Sequence, residues 1–277
     1  MLITGCSTGI GRETARHLAG LGDYAVYATA RRVETLAELE SAGCRTLALD
    51  VTDEASMQAA VDAVEAAEGS VWGLVNNAGY SQSGAVESIP MESLRNQFET
   101  NVFGLVRMCQ LVLPGMRRRG EGRIVNLSSM GGRLTFPGGG AYHATKYAVE
   151  ALSDAMRFEV KGFGVDVVLI EPGLITTEFG ETAAGSVDET EAGEGPYAKF
   201  NAEVAKGTAD AYKGPMVKLG AGPEAVAKKI ETALTAGRPR ARYTVTASAK
   251  LAITQRRLVT DRMWDRLMTA QFSRPGR

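Results

Sequence analysis

The sequence predicts an α/β fold in a single domain: a mostly parallel sheet of seven strands, doubly wound, with helices on both faces. Three observations carry this expectation. Short apolar runs of β type alternate with helical patterns along the chain. Those runs read as nearly continuous apolar stretches, as Val-Asp-Val-Val-Leu-Ile over 165–170 does, which suits strands buried on both faces. The 277 residues, 44% of them hydrophobic, suffice for one full core with some elaboration.

Leu2–Ile3 is the first expected strand. It runs into Thr4-Gly5-Cys6-Ser7-Thr8-Gly9-Ile10-Gly11 and then an amphipathic stretch over 12–21. A strand, a glycine-rich turn and a helix N-terminus in that order make an anion site. The glycines tolerate positive φ and admit a pyrophosphate to the backbone, while free amides and the helix dipole favour negative charge. Further strands are expected at 25–29, Arg45–Ala48, Gly73–Asn76, Gly122–Leu127 and 166–171, and a seventh includes 242–245. Long helical patterns occupy 91–119 and 141–163. Residues 178–222 change character within the single domain of 1–277, being rich in Gly, Ala and acidic residues and poor in β-branched ones. The end, 250–277, is expected to be a helical extension. Leu251, Leu258, Met263, Leu267 and Met268 mark its apolar side, and Arg256, Arg257, Arg262 and Arg266 a solvated basic one.

Tyr142 and Lys146 lie four apart on one of the long helical patterns, so a phenol and an ammonium share a face. A phenol titrates near pH 10 and is a poor proton donor or acceptor at neutral pH. One positive charge at about 4 Å, at an effective dielectric near 20, contributes at most roughly 4 kcal/mol, or about three pK units. That brings the phenol toward the working pH, where acid–base catalysis is efficient. Ser129 precedes Tyr142 by thirteen residues. His143, one residue on, is turned about 100° from the Tyr–Lys face and is expected to be packed or solvated.

With these motifs the chain resembles the short-chain dehydrogenase/reductase superfamily, in its single-domain Tyr-x-x-x-Lys branch, from Leu2 to about Thr177. The resemblance includes Asp50-Val51, Asn76-Asn77-Ala78-Gly79, Asn101, Ser128-Ser129 and Pro172-Gly173, in order. Val26 to Arg31, Asn101-Val102-Phe103-Gly104 and Glu171-Pro172-Gly173 look most like the 17β-hydroxysteroid and retinol dehydrogenase group and its bacterial relatives. The resemblance implies a Rossmann-type dinucleotide fold and a catalytic set of Asn101, Ser129, Tyr142 and Lys146. Tyr142 would protonate the substrate oxygen, Ser129 would donate a hydrogen bond to it, Lys146 would hold the nicotinamide ribose, and Asn101 would support a water leading to Lys146.

The implied cofactor residues are Gly5, Ser7, Thr8, Gly9, Ile10 and Gly11 of the loop, with Asp50 and Val51 at the adenine. Asn77, Ala78 and Gly79 would wall the ribose, and Pro172, Gly173, Ile175 and Thr177 the nicotinamide. NAD-specific proteins place a carboxylate at the end of the second strand. Here Ala30 stands there, followed by Arg31 and Arg32, and a guanidinium suits a 2′-phosphate, so NADP(H) is expected over NAD(H). Thr8 departs from the second basic residue of many NADP-preferring relatives. Substrate contacts are expected from Met130, Leu134, Phe136, Leu174 and Phe179, under a lid over 178–222 that brings Tyr197, Phe200 and Met216. An apolar alcohol/carbonyl pair of steroid, retinoid or aliphatic type follows. By resemblance, the helices around 91–119 and 141–163 also make a homodimer or homotetramer. The alternative is a catalytically idle NADP(H) sensor or scaffold.

A net charge of −1 gives no basic surplus for nucleic acid. Cys6, Cys44 and Cys109 are odd in number and scattered, which fits reduced thiols and a cytoplasmic location. No apolar run approaches the roughly 20 residues of a membrane-spanning helix. With two histidines and these cysteines, no metal site is expected.

Overall fold

The computed structural model describes residues 1–186, 195–211 and 219–276. Its strands are β1 (Leu2–Ile3), β2 (Tyr27–Ala30), β3 (Arg45–Ala48), β4 (Gly73–Asn76), β5 (Gly122–Leu127), β6 (Val165–Glu171) and β7 (Arg242–Thr244). They form one sheet in the order β3-β2-β1-β4-β5-β6-β7, and every pairing is parallel. The helices are α1 (Gly9–Leu21), α2 (Ala37–Ser41), α3 (Glu54–Glu68), α4 (Met91–Phe98), α5 (Gly104–Arg119), α6 (Gly140–Glu159), α7 (Phe179–Gly185), α8 (Ala198–Ala211), α9 (Pro223–Thr235), α10 (Ala247–Leu258) and α11 (Asp261–Thr269).

The period-two alternation of a strand divides the apolar runs between two cores. Ile3, Val75, Val125, Val168 and Ile170 point to one face, against Leu18 of α1 and Val226 and Ile230 of α9. Leu2, Leu74, Ile124, Val167 and Leu169 point to the other, against Val61 of α3, Met108 and Val112 of α5 and Val149 of α6. Burial on both faces explains why these strands lack polar alternation. After β3 the chain returns to the far side of β1, so strand order reverses between β1 and β4. The crevice beyond their carboxyl ends is where an open parallel sheet places its ligand.

Four expected elements shift. The second strand begins at Tyr27 rather than 25, because its ladder starts where β1 starts, with Leu2 opposite Tyr27. The helix expected over 91–119 is interrupted by a π-helical turn, Glu99–Phe103, that carries Asn101. Gly104 follows that turn because a Cβ there would stand 2.3 Å from the carbonyl oxygen of Val51. The helix expected over 141–163 ends at Glu159 and closes in a short 3₁₀ turn, Lys161–Phe163, before Gly164 at φ +79°. The C-terminal extension is two helices, since Thr260 caps α11 by accepting the Met263 N–H at 3.4 Å.

Candidate active site

At the carboxyl ends of β1 and β4 the glycine loop is locked to the neighbouring strand. Thr4 Oγ1 accepts the N–H groups of Asn77 and Ala78, each at 3.0 Å. The Asn77 amide returns hydrogen bonds to the carbonyls of Thr4 and Gly5, each at 2.9 Å. Gly5 sits at φ +71°, and a Cβ on it would come 2.8 Å from Ala78 Cα. Gly9 also has positive φ, +53°. Thr8, the N-cap of α1, makes no side-chain capping bond, and the first turn holds no acidic residue. The amides there remain available to an anion.

This loop lines a cavity of about 1190 Å³. Ala30 and Arg31 follow at the end of β2, then Asp50 and Val51, Ala78 and Gly79, and Pro172, Gly173, Ile175 and Thr177. Asp50 orders its own turn by accepting the Thr52 N–H at 2.9 Å and the Thr52 hydroxyl at 2.8 Å. Gly11 does not line this cavity. Its missing side chain lets α1 pack on the loop, where a Cβ would meet the Gly5 oxygen at 2.3 Å and the Asn77 amide nitrogen at 2.4 Å. Gly11 thus has a packing role beneath the loop.

The same cavity receives Ser129, Tyr142 and Lys146. Ser129 leaves β5 in extended conformation and its Oγ accepts the Gly131 N–H at 3.0 Å, which leaves its hydroxyl proton to donate. Tyr142 stands in the first turn of α6, and Lys146 one turn later. The Lys146 ammonium donates to the Leu127 carbonyl at 2.7 Å and lies 5.7 Å from the centre of the Tyr142 ring. Burial pushes its pKa down to about 8, with the Glu150 carboxylate opposing.

Asn101 is buried and outside the cavity lining. Its Oδ1 accepts the Tyr80 N–H at 3.1 Å, and its amide donates to the Tyr80 carbonyl at 2.8 Å and to Thr145 Oγ1 at 3.1 Å. The side chain thus ties the π turn to the loop after β4 and to α6. His143 is packed, as expected, but its ring also lines the cavity beside Tyr142, which helical phase alone does not place there. Gly131 and Gly139 leave room for its ring, and burial lowers its pKa to about 4, so the imidazole is neutral. Its Nδ1 accepts the Phe136 N–H at 3.3 Å, which assigns the ring proton to Nε2.

Of the expected substrate contacts, Met130, Phe136, Leu174 and Phe179 line the cavity. Leu134 does not. It is fully buried against Ile253, Trp264 and Met268, because the two C-terminal helices pack over that loop. Tyr197 and Phe200 pack with Ala85 and Val204, and Met216 lies outside the described residues. Val204, Gln271 and Phe272, which carry no motif, also line the cavity. Beneath the site, Arg242 joins Glu150 (2.8 Å) and Asp154 (2.6 Å), and Arg133 joins Glu171 (3.1 Å), cross-linking α6, β6 and β7. The local sequence holds no signal for that network, since its partners meet only in space.

The short chain dehydrogenase family model matches residues 1–186. The chain is 35% identical over 272 residues to the uncharacterized oxidoreductase YbbO of Escherichia coli strain K12, covering 97% of this chain and 93% of that protein. It is 34% identical over 275 residues to the NADPH-dependent 3-dehydrocapnine reductase of Ornithobacterium rhinotracheale, covering 96% and 94%. A solved short-chain dehydrogenase from Streptomyces avermitilis superposes with a TM-score of 0.77 at 33% identity, covering 96% and 94%.

Proposed function

The chain belongs to the short-chain dehydrogenase family of oxidoreductases, and we propose that it interconverts an apolar alcohol and its ketone or aldehyde with NADP(H) and with Tyr142 as acid and base. The observation that carries this reading is that one cavity joins the glycine loop to Ser129, Tyr142 and Lys146. The loop fits a dinucleotide. Its two positive-φ glycines and the uncapped start of α1 leave backbone amides for a pyrophosphate, and Arg31 supplies a charge for a 2′-phosphate where no acidic side chain stands. The NADPH dependence of the capnine-related reductase supports the same choice. When bound, the nicotinamide donates or accepts the hydride.

The chain's own groups would then handle the proton. Tyr142 gives its phenolic proton to the substrate oxygen in reduction and takes it back in oxidation. Ser129 donates a hydrogen bond to the same oxygen and stabilises the charge that develops there. Lys146, held on the Leu127 carbonyl, keeps a positive charge next to Tyr142 as its proton leaves. Met130, Phe136, Leu174 and Phe179 exclude water and favour an apolar substrate. Exposed Phe103, Tyr147, Leu152, Phe158 and Phe163 on and beside α5 and α6, with Phe158 87% exposed, support association of copies through those helices.

The test is consumption of NADPH and NADH against steroid, retinoid, aliphatic and aromatic carbonyls, with Tyr142→Phe as control. NADPH-dependent turnover of one apolar class, lost in the variant, is the expected result. Undiminished activity in Tyr142→Phe removes the acid–base assignment. Tight NADPH binding without turnover on any carbonyl leaves the sensor reading instead.

A further inference from the structure

Two distant pieces of chain line the same cavity as the catalytic groups. Val204, Gly207 and Thr208 of α8 form one side, and Gln271 and Phe272, just beyond α11, form the other. Phe272 packs against the cluster of Phe200 and Val204 and also against that of Trp264 and Met268. Its N–H donates to the Met268 carbonyl at 2.9 Å, so the end of α11 sets its position. The next residue, Ser273, donates its backbone N–H (3.3 Å) and its hydroxyl to Glu203 Oε2 on α8, 70 residues away. These hydrogen bonds hold the Glu203 carboxyl below its usual range. They are exposed, so they position the tail without locking it.

We propose that this seam determines substrate specificity: Phe272, clasped to α8 through Ser273 and Glu203, sets the longest apolar chain that the cavity accepts. The proposal rests on the reading of this cavity as the substrate site. Tyr142 lies 5.7 Å, ring centre to ring centre, from Phe179, and Met130, Phe136 and Val204 share apolar clusters with Phe272, so an apolar chain extending from the reacting carbon would bury methylenes along these residues until it meets that ring. Each buried methylene strengthens binding about fourfold, and one that meets the ring adds nothing.

The test uses binding and needs no turnover. Trp264 lies 6.1 Å, ring centre to ring centre, from the cavity-lining Phe136, so its emission reports on the cavity. In a Trp72→Phe, Tyr142→Phe background, Trp264 is the one emitting tryptophan and alcohol oxidation is blocked, so linear 1-alkanols from butanol to dodecanol are titrated with NADP+ present. Affinity is expected to rise about fourfold per methylene and then stop at a definite length. Phe272→Ala is expected to move the stop to longer alkanols and Phe272→Trp to shorter ones. Glu203→Ala is expected to blur it by freeing the tail. A stop at the same length in all variants, no stop in the parent, or no alkanol binding at all overturns the proposal. Chain-length discrimination that moves as expected, in a protein that reduces no carbonyl, refutes the catalytic reading and leaves the Phe272 seam as the length limit for a bound apolar ligand rather than for a substrate.

Discussion

Replacing Lys146 with Met is expected to stabilise the fold while removing activity. The lysine is buried with its ammonium on one carbonyl, and burial depresses its pKa from 10.5 to about 8. That drop corresponds to about 3 kcal/mol of penalty on the charged form at neutral pH. Methionine fills similar space without charge and forfeits the hydrogen bond to Leu127, a loss of about 1 kcal/mol, so a net gain of about 2 kcal/mol follows. The sign with pH is specific. Between about pH 8 and 10.5 the unfolded chain binds more protons at this site than the folded one. Parent stability from Lys146 therefore rises with pH through that window and is constant below it. Urea unfolding at fixed protein concentration measures this: the variant's midpoint should lie roughly 1 M higher at pH 7, and the gap should narrow by pH 10. A variant less stable than the parent at pH 7, or a gap unchanged with pH, refutes the reasoning that the ammonium is retained for function at the expense of stability.

The remaining predictions concern the same cavity. If the Lys146 charge supports proton transfer from Tyr142, kcat/KM for reduction should fall as pH rises through about 8, in a profile taken with saturating NADPH. Arg31→Asp should lower the NADPH-to-NADH ratio of kcat/KM by about 10- to 100-fold, the range of a charge-assisted hydrogen bond, and an unchanged ratio removes Arg31 from the 2′-phosphate site. Leu134→Ala should destabilise the protein by roughly 2–5 kcal/mol in chemical unfolding, with KM for the carbonyl nearly unchanged in the folded fraction. A large KM effect there would return Leu134 to the substrate wall.

Much of the fold was legible because its determinants are local. Glycine spacing, apolar runs and strand punctuation act over a few residues, and Gly5, Gly9, Ser129, Tyr142 and Lys146 all line one cavity as their motifs imply. Leu134 was placed by motif neighbourhood and packs elsewhere, against the C-terminal helices, since side-chain direction follows the local backbone and its cover. His143 was placed by helical phase alone. Phase orders residues around an axis, but Gly131 and Gly139 decide how far the ring reaches, and they stand outside its helix. No helix among the described residues is long and apolar enough to cross a membrane.

The sequence by itself determined the sheet, the anion-binding turn and the Tyr–Lys pair, because each depends on backbone preference and periodicity over one turn or strand. Only the tertiary structure decided how Asn101 is used, which distant segments line the same cavity, and how Arg133, Glu150, Glu171 and Arg242 find one another. Those arrangements rest on contacts between segments tens of residues apart. Such contacts are selected by packing and charge neutralisation in three dimensions, and leave no pattern in the order of the residues that make them.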